Sequence, residues 1–267
     1  NNGSFLRGDA ARPNTIAAYD GDITSLVITG GNLYGDVYAD YDLVSLQVLP
    51  TADGIFGDIG VNPAFNANQA YDARRNRVPV GTAPSSAVQG PRIAAGRNII
   101  AVAVTGGSVF ETGFSAGRAI QSITIAQSIL NDSATSGRGS YFVAGDTISG
   151  ITIAGNASDT TFLAGGHDRG LEQRPEGTGN NADTVQSGSI TGVAIAGNAS
   201  NILALAGVQA GADGVYATSD DTTALGLSGI TGFTIGGAAS GVVLRSDLVA
   251  SLSKDGVSTN GGGLPTD

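Results

Sequence analysis

One apolar phrase recurs seven times along the chain, and this constrains the fold more than any other feature. It reads Ile190-Thr-Gly-Val193-Ala-Ile195-Ala-Gly, with close copies from Ile148 and from Ile230. Shorter forms start at Ile23, Leu43 and Ile120, and a looser one starts at Ile99. A second phrase, apolar-x-Ala-Gly, answers the first in Phe162–Gly165, Ala204–Gly207, Phe142–Gly145, Phe114–Gly117 and Ile93–Gly96. Repetition at a fixed period has to be read before any local propensity, because it decides the architecture.

The spacing carries a geometry. From Ile23 the next copy begins 20 residues on, and from Ile99 it begins 21 residues on. Within a phrase the second and third apolar residues lie two apart, so a strand turns them to one side. The first lies three before the second, which is the wrong parity for one straight strand. A bend at the intervening Thr-Gly or Ser-Gly restores the parity, and Gly suits such a bend. With 42 Gly among 267 residues and abundant Thr, Val and Ile, the chain disfavours long helices. The expectation is an all-β, single-domain parallel β-helix, a β-solenoid of about seven to eight coils with a bare repeat of ~20 residues and loop insertions.

On this reading residues 1–14 are an N-terminal extension, 15–247 form the β-helix, and 248–267 are a C-terminal tail. Three insertions interrupt the coils, at about 50–90, 166–189 and 208–228. The last two leave from the same corner of successive coils, which predicts one shared loop face. The first holds a basic cluster, Arg74, Arg75 and Arg77, and the stretch Ala67 to Arg77 suits a short helix. This insertion is either a solvated decoration or a contact surface for a neighbouring molecule. No amphipathic capping helix is visible at either end, so the ends of the stack are expected to be open.

Charged residues make up 13% of the chain and the net charge is −10. That balance argues against nucleic acid as a partner, since a phosphate backbone requires a basic face. The chain contains no Cys, so disulfides and thiolate metal sites are ruled out. No run of 18 apolar residues marks a transmembrane helix. The lack of Cys and Met fits an exported protein whose leader is removed before Asn1, placing it outside the cell or on its surface.

Candidate chemistry is sparse. The stretch Ala212-Asp213-Gly214-Val215-Tyr216 leads into Asp220-Asp221, and its opening recurs as Ala52-Asp53-Gly54-Ile55-Phe56. Carboxylates around a Gly turn suit Ca²⁺, which makes Asp213, Asp220 and Asp221 candidate ligands. The spacing is not that of an EF-hand, and the alternative is an Asp-Gly turn with Tyr216 folded back onto the coil. Adjacent carboxylates on a loop do not converge on a sugar bond, and the single His167 has no second His, so no catalytic residue is assigned and the chain reads as a non-enzyme. Tyr216 and His167 mark a candidate ligand face. The tripeptide Arg7-Gly8-Asp9 reads as a surface turn, and Asn-x-Ser sequons stand at Asn2, Asn131, Asn156 and Asn198.

Together the Ile-Thr-Gly-Val-Ala-Ile-Ala-Gly-Asn-Ala-Ser phrase, the following Leu-Ala-Gly and the Ala-Asp-Gly-Val-Tyr…Asp-Asp loop resemble the repeats of large secreted or cell-surface β-helix proteins of environmental, planctomycete-like bacteria. These belong to the wider pectin-lyase-like β-helix class. That class holds lyases, hydrolases and adhesins, but this chain lacks the Lys- and Arg-rich groove expected of a lyase. The leading expectation is a structural protomer that joins copies of itself, end to end, into a filament, sheath or surface layer. In it Arg74, Arg75 and Arg77 would dock on a neighbour's acidic surface. The alternative is a carbohydrate-binding or adhesive module acting on polysaccharide. A polysaccharide lyase or glycoside hydrolase ranks below both.

Overall fold

The computed structural model describes residues 5–6, 15–33, 35–50, 57–60, 70–71, 77–78, 91–131, 139–167, 184–185, 187–209, 222–223, 228–246, 248–250 and 257–259. Every element among them is a strand. The chain alternates between a thirteen-stranded sheet and an eight-stranded one, each built almost wholly of parallel pairs.

The expectation of a single parallel β-helix of seven to eight coils is corrected by this topology. The strands form a half-barrel and a second parallel sheet with separate hydrogen-bond ladders, and the two differ in strand number. The larger sheet gains short strands such as Val109–Phe110, Ile129–Leu130 and Ala239–Ser240, and at one end an antiparallel strand, Phe5–Leu6. Three further two-stranded antiparallel sheets stand in the insertions. One of them pairs Ala70–Tyr71 with Arg77–Val78, where a short helix was expected over Ala67 to Arg77; the rest of that stretch lies outside the described residues. The physical reason is local. An apolar period reports which side chains face inward, and says nothing of how backbone pairing is divided where the chain changes direction.

The half-barrel creases along one line. Glu111, Asp159 and Asn201 hold φ of 44°, 45° and 52°, and Gly241 holds 63°. Left-handed backbone at successive levels turns the chain sharply there. The second sheet bends at Gly150, Gly192 and Gly232, with φ of 65°, 67° and 65°. That bend brings Ile148, Ile151 and Ile153 to the same side, and all three are fully buried.

Like residues stack in columns across the second sheet. Ile123 pairs with Ile151, Ile151 with Val193 and Val193 with Phe233. Ile120, Ile148, Ile190 and Ile230 form a neighbouring column. The half-barrel answers with Phe114, Phe142 and Phe162, whose rings stack at 4.8 Å between centroids. Phe233 of the second sheet meets Phe162 edge-on at 6.0 Å, so the two sheets close on one core. Each buried aliphatic or aromatic side chain contributes about 1.5–3 kcal/mol by leaving water.

A smaller cluster lies apart from that core. Tyr141, Val143, Leu163, Leu205 and Val208 are buried together. The hairpin Gly166–His167/Thr184–Val185 touches the strand Ser140–Ala144, and it also touches the hairpin Val208–Gln209/Thr222–Thr223.

Candidate functional site

Four of the exposed large apolar side chains among the described residues, Tyr19, Val27, Tyr38 and Tyr41, lie at the end of the structure where the chain begins its two sheets. Strand Leu26–Thr29 is the last of the second sheet. Its inner side is satisfied: Leu26 N–H donates to Ser45 O at 2.9 Å and Gly30 N–H to Leu49 O at 3.1 Å. In a parallel ladder successive residues direct their backbone groups to opposite sides. Val27 and Thr29 therefore point theirs outward, where no described strand pairs with them. Val27 is 48% exposed, unusual for a β-branched aliphatic. An open edge of this kind is a template for another strand.

Beside this edge stands a corner of tyrosines and aspartates. Tyr19, Tyr38 and Tyr41 are all exposed. The Asp42 N–H donates to Asp22 Oδ1 at 3.0 Å, and the Asn98 N–H donates to Asp42 Oδ1 at 3.0 Å. Arg97 crosses both carboxylates, 3.4 Å from Asp22 and 3.3 Å from Asp42, and its guanidinium lies 4.5 Å from the centre of the Tyr41 ring. Tyr38 gives its hydroxyl to Asp40. That hydrogen bond, with partial burial and the Asp40 charge behind it, pushes the phenol up to about 12. Tyr38 also borders a shallow cleft of about 180 Å³ with Arg92, Ala94, Ser115 and Gly117.

A second polar system runs the length of the molecule. At one corner each level offers a side-chain oxygen to the backbone N–H of the next. Asn32 accepts from Asp58 at 2.9 Å, Asp58 from Ser108 at 2.7 Å and Ser108 from Ser128 at 3.3 Å. Ser128 then accepts from Asn156 at 3.0 Å, Asn156 from Asn198 at 2.8 Å and Asn198 from Ala238 at 2.8 Å. This column supplies acceptors to N–H groups that the sheets leave over at the corner. The sequons at Asn156 and Asn198 thus mark a structural column. The Asn131 amide donates to Ser158 O at 2.6 Å.

The residues singled out from sequence fall elsewhere. Asp213, Asp220, Asp221, Tyr216, Arg74, Arg75 and Asn2 lie outside the described residues. His167 pairs with Thr184 in a two-residue hairpin, and Arg77 pairs with Tyr71. Among the described residues no three His, Cys, Asp or Glu side chains gather to hold a metal ion, and no helix is long and apolar enough to cross a membrane. The expectations of calcium, of a filament and of an extracellular place find no support in these features. The Tyr-Asp corner was missed, although Tyr19-Asp20 and Tyr41-Asp42 recur at nearly the period of the apolar phrase. Comparison with protein-family models, curated proteins and solved structures finds no match.

Proposed function

We propose that this protein is a structural building block that associates with copies of itself through the open edge of its second sheet. The observation behind this reading is the outward-facing backbone of Val27 and Thr29 in an ordered edge strand. The second sheet ends in Leu26–Thr29 on one side and in Leu248–Ala250 on the other, both parallel to their neighbours. A copy placed head to tail sets those strands side by side with every strand still parallel. Such a contact is heterologous, so it repeats without closing, and strand addition at a free edge supplies its main-chain bonds. The antiparallel Phe5–Leu6 strand ends the half-barrel on the same side, which leaves the second sheet as the growing edge.

The polysaccharide-binding reading has no comparable observation, because Tyr216 lies outside the described residues and only the backbone of His167 is described. Electron microscopy of the purified protein at rising concentration tests the proposal. Rows of particles joined end to end are expected, and isolated particles at every concentration overturn it.

A further inference from the structure

The outer side of the second sheet carries no charge. The segments 23–29, 43–49, 98–105, 119–126, 147–154, 189–196 and 229–236 supply seven of its eight strands and contain no Asp, Glu, Lys or Arg. The chain as a whole holds 13 basic and 23 acidic residues. Asp22, Asp42, Arg97, Arg118 and Asp146 stand at the corner through which the chain enters this sheet, where they pair with one another. Register sets the middle column of the outer side. Val27, Gln47, Ala103, Thr124, Thr152, Ala194 and Thr234 lie side by side along it. Thr124, Thr152 and Thr234 are exposed, and each stands between two buried residues, as Thr152 does between Ile151 and Ile153.

We infer that this uncharged face pairs with the same face of a second copy, so that rows of the protein associate side by side, two by two. The inference rests on the self-association reading and adds a lateral contact to the end-to-end one. Charge selects the occupant. Two copies at net −10 repel one another, and a charge-free face meets its own image without like charges being brought together. Such a contact is isologous and closes at two, with the sheets about 10 Å apart. Area decides that rows pair rather than single molecules. Seven strands spaced at about 4.8 Å, each extended over some seven residues, give a face of roughly 700 Å². That is short of the ~800 Å² per partner of an ordinary specific interface. The face also lacks an aromatic side chain of the kind that anchors a tight contact. One copy therefore pairs weakly. In a row the second sheets continue one another, so each added copy extends the face and strengthens the pairing.

Electron microscopy of rows formed by the intact chain tests this. Wild-type rows are expected in pairs. One variant carries Thr124→Lys and Ala194→Lys, the other Thr124→Glu and Ala194→Glu, and both positions lie away from the two edge strands of the sheet. Thermal melts establish that each is folded, and Thr124→Lys alone serves if the double change destabilises the chain. Each variant is expected to form rows of wild-type length, with at least tenfold fewer of them paired. Mixing preformed lysine rows with glutamate rows is expected to restore pairing, because opposite charges then meet face to face. Wild-type rows that stay single, variant rows that stay paired, or a mixture that stays single would overturn the lateral contact while the edge stands. Single wild-type rows that pellet with crystalline cellulose would give the face to a polysaccharide and overturn it too. If no rows form, both readings fall.

Discussion

Asn198 rests on Asn156: its backbone N–H donates to the Asn156 Oδ1 at 2.8 Å, and its own Oδ1 accepts from Ala238 at the same distance. The bond repeats level by level back to Asn32, so register at this corner is held by side chains as well as by the sheets.

Within that column the members differ in burial, and the cost of removing them should follow. Asp58 and Ser108 are 7% and 5% exposed. Asp58→Ala leaves the buried Ser108 N–H without its acceptor and should cost about 1–3 kcal/mol. Asn156→Ala frees an N–H that water can reach and should cost about 0.5–1.5 kcal/mol. Urea unfolding of the two variants checks the order. Equal costs would mean that the column contributes nothing specific.

The stacked rings give a larger effect. Phe142 lies between Phe114 and Phe162 and is fully buried. Phe142→Ala empties the middle of that stack and should cost about 3–5 kcal/mol. Phe142→Leu keeps most of the volume and should cost clearly less, as the same unfolding assay would show.

Two glycines should part company. A Cβ added at Gly117 would lie 2.1 Å from the carbonyl oxygen of Gly96, while one added at Gly31 meets nothing within 4 Å. Gly117→Ala forces the backbone levels apart and should lower the melting temperature sharply. Gly31→Ala should leave it unchanged or raise it slightly, since Ala restricts the unfolded chain.

These cases mark what a reader of the sequence can and cannot reach. The inward columns were legible, because Ile148, Ile151 and Ile153 announce themselves by spacing around a Gly bend. The division into a half-barrel and a second sheet was not. It depends on left-handed backbone at Glu111, Asp159 and Asn201, residue types that share no obvious pattern. The polar column hid for a similar reason: Asn32, Asp58, Ser108 and Ser128 are chemically different, and only their level relates them. The exposed tyrosines sit among aspartates, where an apolar period gives no signal.

Tyr38 makes stability depend on alkaline pH. Its folded phenol is raised to about 12 from the ordinary 10, chiefly by the hydrogen bond to Asp40. A raised value means that the folded state holds its proton more tightly than the unfolded state. The contribution is therefore complete below pH 10 and is lost as pH rises through 12. Tyr38→Phe should remove that part of the alkaline decline. Phenolate absorbance should show a component ionising at about pH 12 in wild type that is absent from the variant.

If a free strand edge joins one copy to the next, a charge on that edge should stop growth, and sedimentation velocity of wild type beside Val27→Lys reads this. A lysine on this edge puts charge where a neighbouring strand must lie, yet leaves the bonds from Leu26 and Gly30 to the inner strand in place. Wild type should sediment as a series growing with concentration, and Val27→Lys should remain a single monomeric boundary with an unchanged melting temperature. A wild type that sediments as one monomer across the whole range, or a variant that grows as wild type does, would contradict the account.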